Sequence, residues 1–226
     1  MPKHGKRYRA AVAMVDPEKS YDVSEAVAVL AKFPKAKFDE TVELSVHLGI
    51  DPKKADQIVR GSVSLPHGIG KELKVVVFAE GAKAEEARNA GALAVGSADL
   101  AEKVMGGWTD FDVAIAAPDM MKHVGKLGKV LGPQGKMPTP KAGTVTTDIG
   151  AAVREFKAGK IEFRNDDGGN VAAPMGKRSF TAEKLRENVA HFLDHLGALK
   201  PATVKGTYML NASLSSSMSP GVRLKV

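Results

Sequence analysis

Three aspartates, Asp110, Asp112 and Asp119, bracket the apolar run Val113–Ala116. At the edge where a doubly wound sheet binds ligands, residues so placed keep open a magnesium or small-anion site. No neighbouring acid, base or nucleophile completes a set, and Gly-x-Ser-x-Gly is absent. Solvated acids beside a strand are the preferred reading. Glu187, His191 and His195 recur every fourth residue and would share one helix face. Zinc asks for three or four well-placed ligands, and this order is not a metalloprotease motif, so a wet helix face fits better. The sequence contains no cysteine, which excludes disulfides, thiolate metal sites and cysteine nucleophiles and leaves the cytoplasm as the default compartment. No catalytic residue, metal or cofactor is expected.

Glycine-rich stretches raise nucleotide chemistry next. In LGKVLGPQGKMPTPKAGT, Leu127 to Thr144, a Walker loop fails twice: Gly135-Lys136 is followed by Met137, and Val130 stands where the first glycine belongs. Gly68-Ile69-Gly70 precedes its strand instead of following one, and Leu73 occupies the third glycine's place, so a dinucleotide fingerprint fails as well. An ordered surface loop with solvated lysines is preferred for Gly132–Gly143.

The remaining chemistry is basic. The formal charge is +7, with a pI near 9.5. Residues 1–68 carry net +2, residues 69–159 net +1 and residues 160–226 net +4. Lys35 and Lys37 flank Phe38; Lys160 and Arg164 sit on one strand; Lys177-Arg178 follow a Pro-x-Gly turn; Arg223 and Lys225 close the chain. Basic groups beside an aromatic and several hydroxyls suit RNA, while scattered solvated lysines remain the plain alternative. Twelve aromatics and no RNP-like strand disfavour base stacking on single strands and favour recognition of folded RNA.

Which elements would position these groups? Asp22-Val23-Ser24-Glu25 reads as a capping box opening a helix stopped by Pro34. Residues 37–48 alternate, with Val42, Leu44, Val46 and Leu48 on a buried face and Thr41, Glu43, Ser45 and His47 on a wet one. Ile58–Leu65 is a second strand. From Leu73 the style changes to a continuous apolar strand, a helix at 82–90, a short strand near Ala94, a helix at 98–105 and a strand at 113–116, which predicts a parallel sheet covered on both faces. Alternation returns at Lys160–Arg164, followed by a turn at 166–170, a helix at 181–196 and a strand at 205–216. Two sheet styles in the order first, second, first predict an α+β split domain, 1–68 with 160–226, holding an inserted three-layer α/β domain, 69–159. Pro66, His67 and Gly68 on the way out, with Gly159 on the way back, would form a paired hinge. No apolar run is long enough for a membrane span, and MPKHGKRYR lacks a signal peptide's apolar region.

Over nearly its full length the chain resembles the bacterial ribosomal protein L-one family of the large subunit. The resemblance rests on MPKHGKRYR, AKFDETVEL, LGIDPKKADQIVRGSVSLPHG, LGKVLGPQGKMPTPKAGTV, KAGKIEFRND and SSSMSPGVRL, in that order. It implies a split RNA-binding domain with a Rossmann-like insert, and makes Gly132–Pro138 a family signature loop. It further implies a ribosomal, cytoplasmic protein that is monomeric when free. Its implied partners are the 23S rRNA stalk region near the tRNA exit site, exit-site tRNA, other ribosomal components and its own operon mRNA leader, whose translation it represses; no membrane is among them. Carried over by motif, the RNA-binding residues are Lys37, Phe38, Glu40 and Thr41 on the first strand, Lys160 and Arg164 near it, and Ser217, Met218 and Ser219 at the last strand turn. Family members often show Thr-Thr-Met-Gly where this chain has Ser216-Ser217-Met218-Ser219, so Ser219 stands where glycine's backbone freedom is usual.

Overall fold

The computed structural model describes residues 4–226; Met1, Pro2 and Lys3, the head of the first motif, lie outside the described residues. Residues 4–70 form one compact unit with Ile161–Val226, and Lys71–Lys160 form another. In chain order the first unit opens with α1 (Lys6–Val12), α2 (Val23–Lys32), β1 (Thr41–Leu48) and β2 (Arg60–Ser64). The second contains β3 (Val75–Phe78), α3 (Ala82–Asn89), β4 (Ala94–Gly96), α4 (Ala98–Met105), β5 (Val113–Ala116), the short helices α5 (Met121–Val124) and α6 (Gly128–Leu131), and α7 (Ile149–Ala158). Then come β6 (Lys160–Arg164), β7 (Asn170–Lys177), α8 (Ala182–Ala198), β8 (Met209–Ser216) and β9 (Val222–Leu224).

In the first unit β1 lies at the centre of an antiparallel sheet of order β7-β1-β8-β9. Its apolar alternation is realised: Val42, Leu44, Val46 and Leu48 are buried, while Glu43 and Ser45 are exposed. The buried face receives α2 through Ala26, Val27 and Leu30, and α8 through Leu185, Val189, Phe192 and Leu196. β2 and β6 form a separate two-stranded ribbon, with Phe163 of β6 set edge-on to Phe192, ring centroids 5.3 Å apart.

The second unit is three-layered. Its parallel sheet has the order β4-β3-β5, and successive residues of β3 point to opposite faces. Val75 and Val77 meet Ala87 of α3 and Ile149, Val153 and Phe156 of α7. Val76 and Phe78 meet Leu100 and Val104 of α4, Val124 of α5, and Leu127 and Leu131. Burial on both faces explains why β3 reads as a continuous apolar run instead of an alternating one.

Three expectations change in detail. Asp22 occupies the N-cap of α2, yet its side chain makes no capping bond, and Glu25 pairs with Lys19 at 3.5 Å. The strand expected from Lys37 begins at Thr41, because Asp39 and Glu40 turn to side-chain partners on the segment after β7. The residues of the expected outbound joint are held within the first unit. His67 donates its backbone N–H to Asn188 Oδ1 at 3.1 Å, its ring bonds Glu187 at 2.6 Å, and the Asn188 amide donates to the Gly68 carbonyl at 3.0 Å. The crossing itself falls at Gly70–Lys71. On the return, Gly159 ends α7 with φ 110°, a left-handed conformation that a side chain would resist.

Candidate nucleic-acid interface

Antiparallel pairing brings three chain segments to one end of the central sheet. Thr41, the first residue of β1, lies opposite Lys177, the last of β7, and Val42 lies opposite both Gly176 and Ser216. The segments that enter or leave there, Lys35–Glu40, Arg178–Ser179 and Ser217–Ser219, form a rim. Side chains lock it together. The Ser217 amide donates to the Thr41 carbonyl at 3.0 Å, and the Thr41 amide donates to Ser217 Oγ at 3.1 Å. Lys177 Nζ donates to Thr41 Oγ1 at 2.8 Å, and Ser179 Oγ donates to Asp39 at 2.7 Å.

Beneath the rim sits a buried ion pair. Glu40 is 2% exposed and accepts from the Arg178 guanidinium at 2.6 Å and from Ser216 Oγ at 3.3 Å. The same guanidinium donates to the carbonyls of Leu30, at 3.1 Å, and of Phe33, so a positive group closes the C-terminal end of α2. Among the described residues Arg178 Nε, also buried, finds no partner. Two charges held this way fix the path of Asp39–Thr41 because breaking either side would strand the other charge away from water.

Above this base, Phe38 and Met218 are 53% and 51% exposed. Phe38 borders a cleft with Lys35, Asp39 and Ser179, and Met218 borders another with Lys6, Arg7 and Tyr8 of α1. The bonded pair Thr41–Ser217 joins the segment that carries Phe38 to the one that carries Met218. Ser219 needs no unusual backbone: among the described residues no residue other than glycine has positive φ, and the Ser219 hydroxyl accepts from the Ser216 amide at 2.9 Å. Serine thus closes this turn with its own side chain.

A match to the ribosomal protein L1p/L10e family model covers residues 30–220. The chain belongs to this family. The large ribosomal subunit protein uL1 of Kosmotoga olearia is 52% identical over 224 residues, 99% of this chain and 97% of that one. The uL1 protein of Thermosipho melanesiensis is 55% identical over 225 residues, with the same coverage. The L1 family is one of structural ribosomal proteins, not of enzymes.

Of the residues singled out from the L1 motifs, the rim unites Lys37, Phe38, Thr41, Ser217, Met218 and Ser219. Glu40 belongs to it from below, as a buried support instead of an exposed contact. Lys160 bonds Glu155 at 2.8 Å and lies over the Phe156 ring, so its charge is engaged in its own neighbourhood. Arg164 stands beside Asn165, which bridges Val171 near the opposite end of β7 from Lys177, about 20 Å along the strand. Neither joins the rim. The sequence does not mark Lys6, Arg7 and Tyr8 as rim residues: the basic N-terminal motif is visible, but nothing local ties it to Met218.

The other constellations disperse. Asp112 pairs with Lys71 at 2.7 Å, Asp110 with Lys74 at 2.9 Å and Asp119 with Lys83 at 3.6 Å. Glu187 turns to His67, while His195 packs edge-on against Phe163 and has its pKa lowered by burial and by His191. Among the described residues no group of three His, Asp or Glu side chains is arranged to hold a metal ion, and no helix is long and apolar enough to cross a membrane. The Gly132–Pro138 loop is a built surface turn: Lys136 Nζ donates to the Thr109 carbonyl at 2.8 Å, and Gly135 takes φ 69°, which favours glycine.

Proposed function

We propose that the first unit is an RNA-binding domain and its rim the surface that grips the 23S rRNA stalk region near the tRNA exit site. One observation carries this reading: two half-exposed apolar side chains, Phe38 and Met218, are fixed along one hydrogen-bonded rim with exposed Lys35, Lys37 and Lys6 beside them. Lysines supply attraction to phosphate that weakens with salt. Phe38, Met218 and the hydroxyls of Thr41 and Ser217 supply apolar contact and ribose bonding whose fit depends on RNA shape. A rim that reads shape accepts any RNA folded alike, which supports a second role in binding the operon's own mRNA leader and repressing its translation.

In this reading the second unit is a Rossmann-like insert that moves on the paired crossings at Gly70–Lys71 and Lys160–Ile161, the latter next to Gly159, and the protein assists release of deacylated exit-site tRNA. It is a cytoplasmic constituent of the ribosome among other ribosomal components, and a monomer when free. The test is competition between a stalk rRNA fragment and a scrambled RNA of equal length at two salt concentrations. The stalk fragment is expected to win by a factor that persists at high salt; equal binding, or a preference that vanishes with salt, refutes the reading.

A further inference from the structure

The second unit's nearly neutral total conceals a separation of charge. Residues 120–147 carry five lysines and no aspartate or glutamate, whereas the rest of 71–160 holds eight basic and eleven acidic groups. Lys136 is engaged with Thr109 and lies over the Phe111 ring. Lys122, Lys126 and Lys129 are exposed, and among the described residues none of the three enters an ion pair. They follow the four- and three-residue spacing of a single helix face, while Val124, Leu127 and Leu131 enter the core.

Between these lysines stand Gly125 and Gly128, both with right-handed helical backbone. A Cβ built on either would meet nothing within 4 Å. Gly132 is different, because a Cβ there would come within 2.5 Å of the Gly128 carbonyl oxygen. Packing therefore requires glycine at 132 but not at 125 or 128, where alanine would favour the helix. What the two glycines achieve is a low, bare backbone between three cations, where a bulky chain can come close.

We propose that the face formed by Lys122, Gly125, Lys126, Gly128 and Lys129 is a second binding surface, for the phosphate backbone of RNA irrespective of sequence. Lysine offers compact charge to phosphate. The nearby aromatics do not offer a stacking platform: Phe111 is buried and Trp108 packs against the same core, so the surface meets backbone and not bases. The adjoining α4 carries Asp99, Glu102 and Lys103, which confines the positive field to the lysine run. This inference shares with the proposed function the premise that the chain works on RNA, and it uses none of the rim residues.

The experiment uses the full chain and two probes, a short mixed-sequence RNA duplex and the stalk rRNA fragment, titrated from 50 to 200 mM salt. K122A/K126A/K129A is expected to lower the logarithmic salt slope for the duplex by about 2 to 3, with the melting temperature unchanged. G125A/G128A is expected to hold or raise the melting temperature and yet to weaken duplex binding about tenfold, or ~1.4 kcal/mol. An unchanged slope, wild-type duplex binding by the alanine-for-glycine variant, or displacement of the duplex by an equal charge of polyglutamate each overturns the proposal. Met218→Ala serves as the separate control. If it leaves stalk binding intact while the lysine variant loses slope, the rim reading fails and the lysine face stands; the reverse pattern removes the lysine face and leaves the rim.

Discussion

The rim at the head of β1 and the lysine face of residues 121–131 are both basic, and they differ in what their polar groups do at rest. On the rim, Lys177 is bonded to Thr41, Thr41 to Ser217, Ser179 to Asp39 and Arg178 to Glu40, and the groups left for a partner are the apolar side chains, the remaining bonding capacity of the Thr41 and Ser217 hydroxyls, and the lysines at the edges. On the lysine face the charges are unpaired among the described residues, and the backbone between them is bare. Fixed groups reject a partner of the wrong shape, because their geometry cannot follow it. Free lysines follow any phosphate chain and so choose little. On the reading proposed above, the two surfaces would separate shape reading from attraction within one polypeptide.

The sharpest way to break this contrast is Arg178→Met, which leaves Glu40 as an uncompensated buried charge. A stability loss on the order of 3 to 5 kcal/mol is expected in urea unfolding, whereas Lys126→Met should stay within about 0.5 kcal/mol of the parent. Similar losses at both sites would erase the distinction. Next in size, Phe38→Ala and Met218→Ala should each weaken stalk-fragment binding by about 1 to 3 kcal/mol without changing its salt slope; a loss confined to low salt would move these residues to the electrostatic side. Lys37→Ala should do the opposite, lowering the slope by about 0.7 to 0.9 on stalk and scrambled RNA alike.

The smallest effect concerns the anchoring of the outbound chain. The hydrogen bond from His67 holds the Glu187 carboxyl below its ordinary value of 4.5. An acid with a depressed folded-state pKa adds stability above its unfolded value and loses it as pH falls through the folded one. Glu187→Gln should therefore flatten the acid limb of melting temperature against pH, and an unaltered limb would show that the bond contributes nothing there.

Legibility in the sequence tracks how local each determinant is. Helix 98–105 and strand 113–116 are readable to the residue, because apolar spacing alone defines them. The alternation of β1 is equally plain, but the expected strand begins four residues ahead of the observed one, since Phe38 stands in phase with Val42 and only Glu40 interrupts the apolar series. What ends the strand is Arg178, 138 residues away, and no local signal announces a partner at that distance. Arg178 itself has the sequence context of an RNA contact beside Lys177; its burial comes from α2 carbonyls contributed by the other chain end. The helical run 118–131 is given no element by the sequence pattern, because glycines at 125, 128 and 132 weaken its propensity.

The order β7-β1-β8 also sets a timetable. Thr41 is bonded to Ser217 across 176 residues, so β1 leaves the synthesising ribosome long before either flanking strand exists. Residues 71–160 draw their sheet from neighbouring segments and can close while the C-terminal third is still unmade, since loop closure slows with separation. A nascent chain halted before β8 would hold a finished insert beside an open-edged first strand, and could not yet compete for the RNA that its completed form would hold.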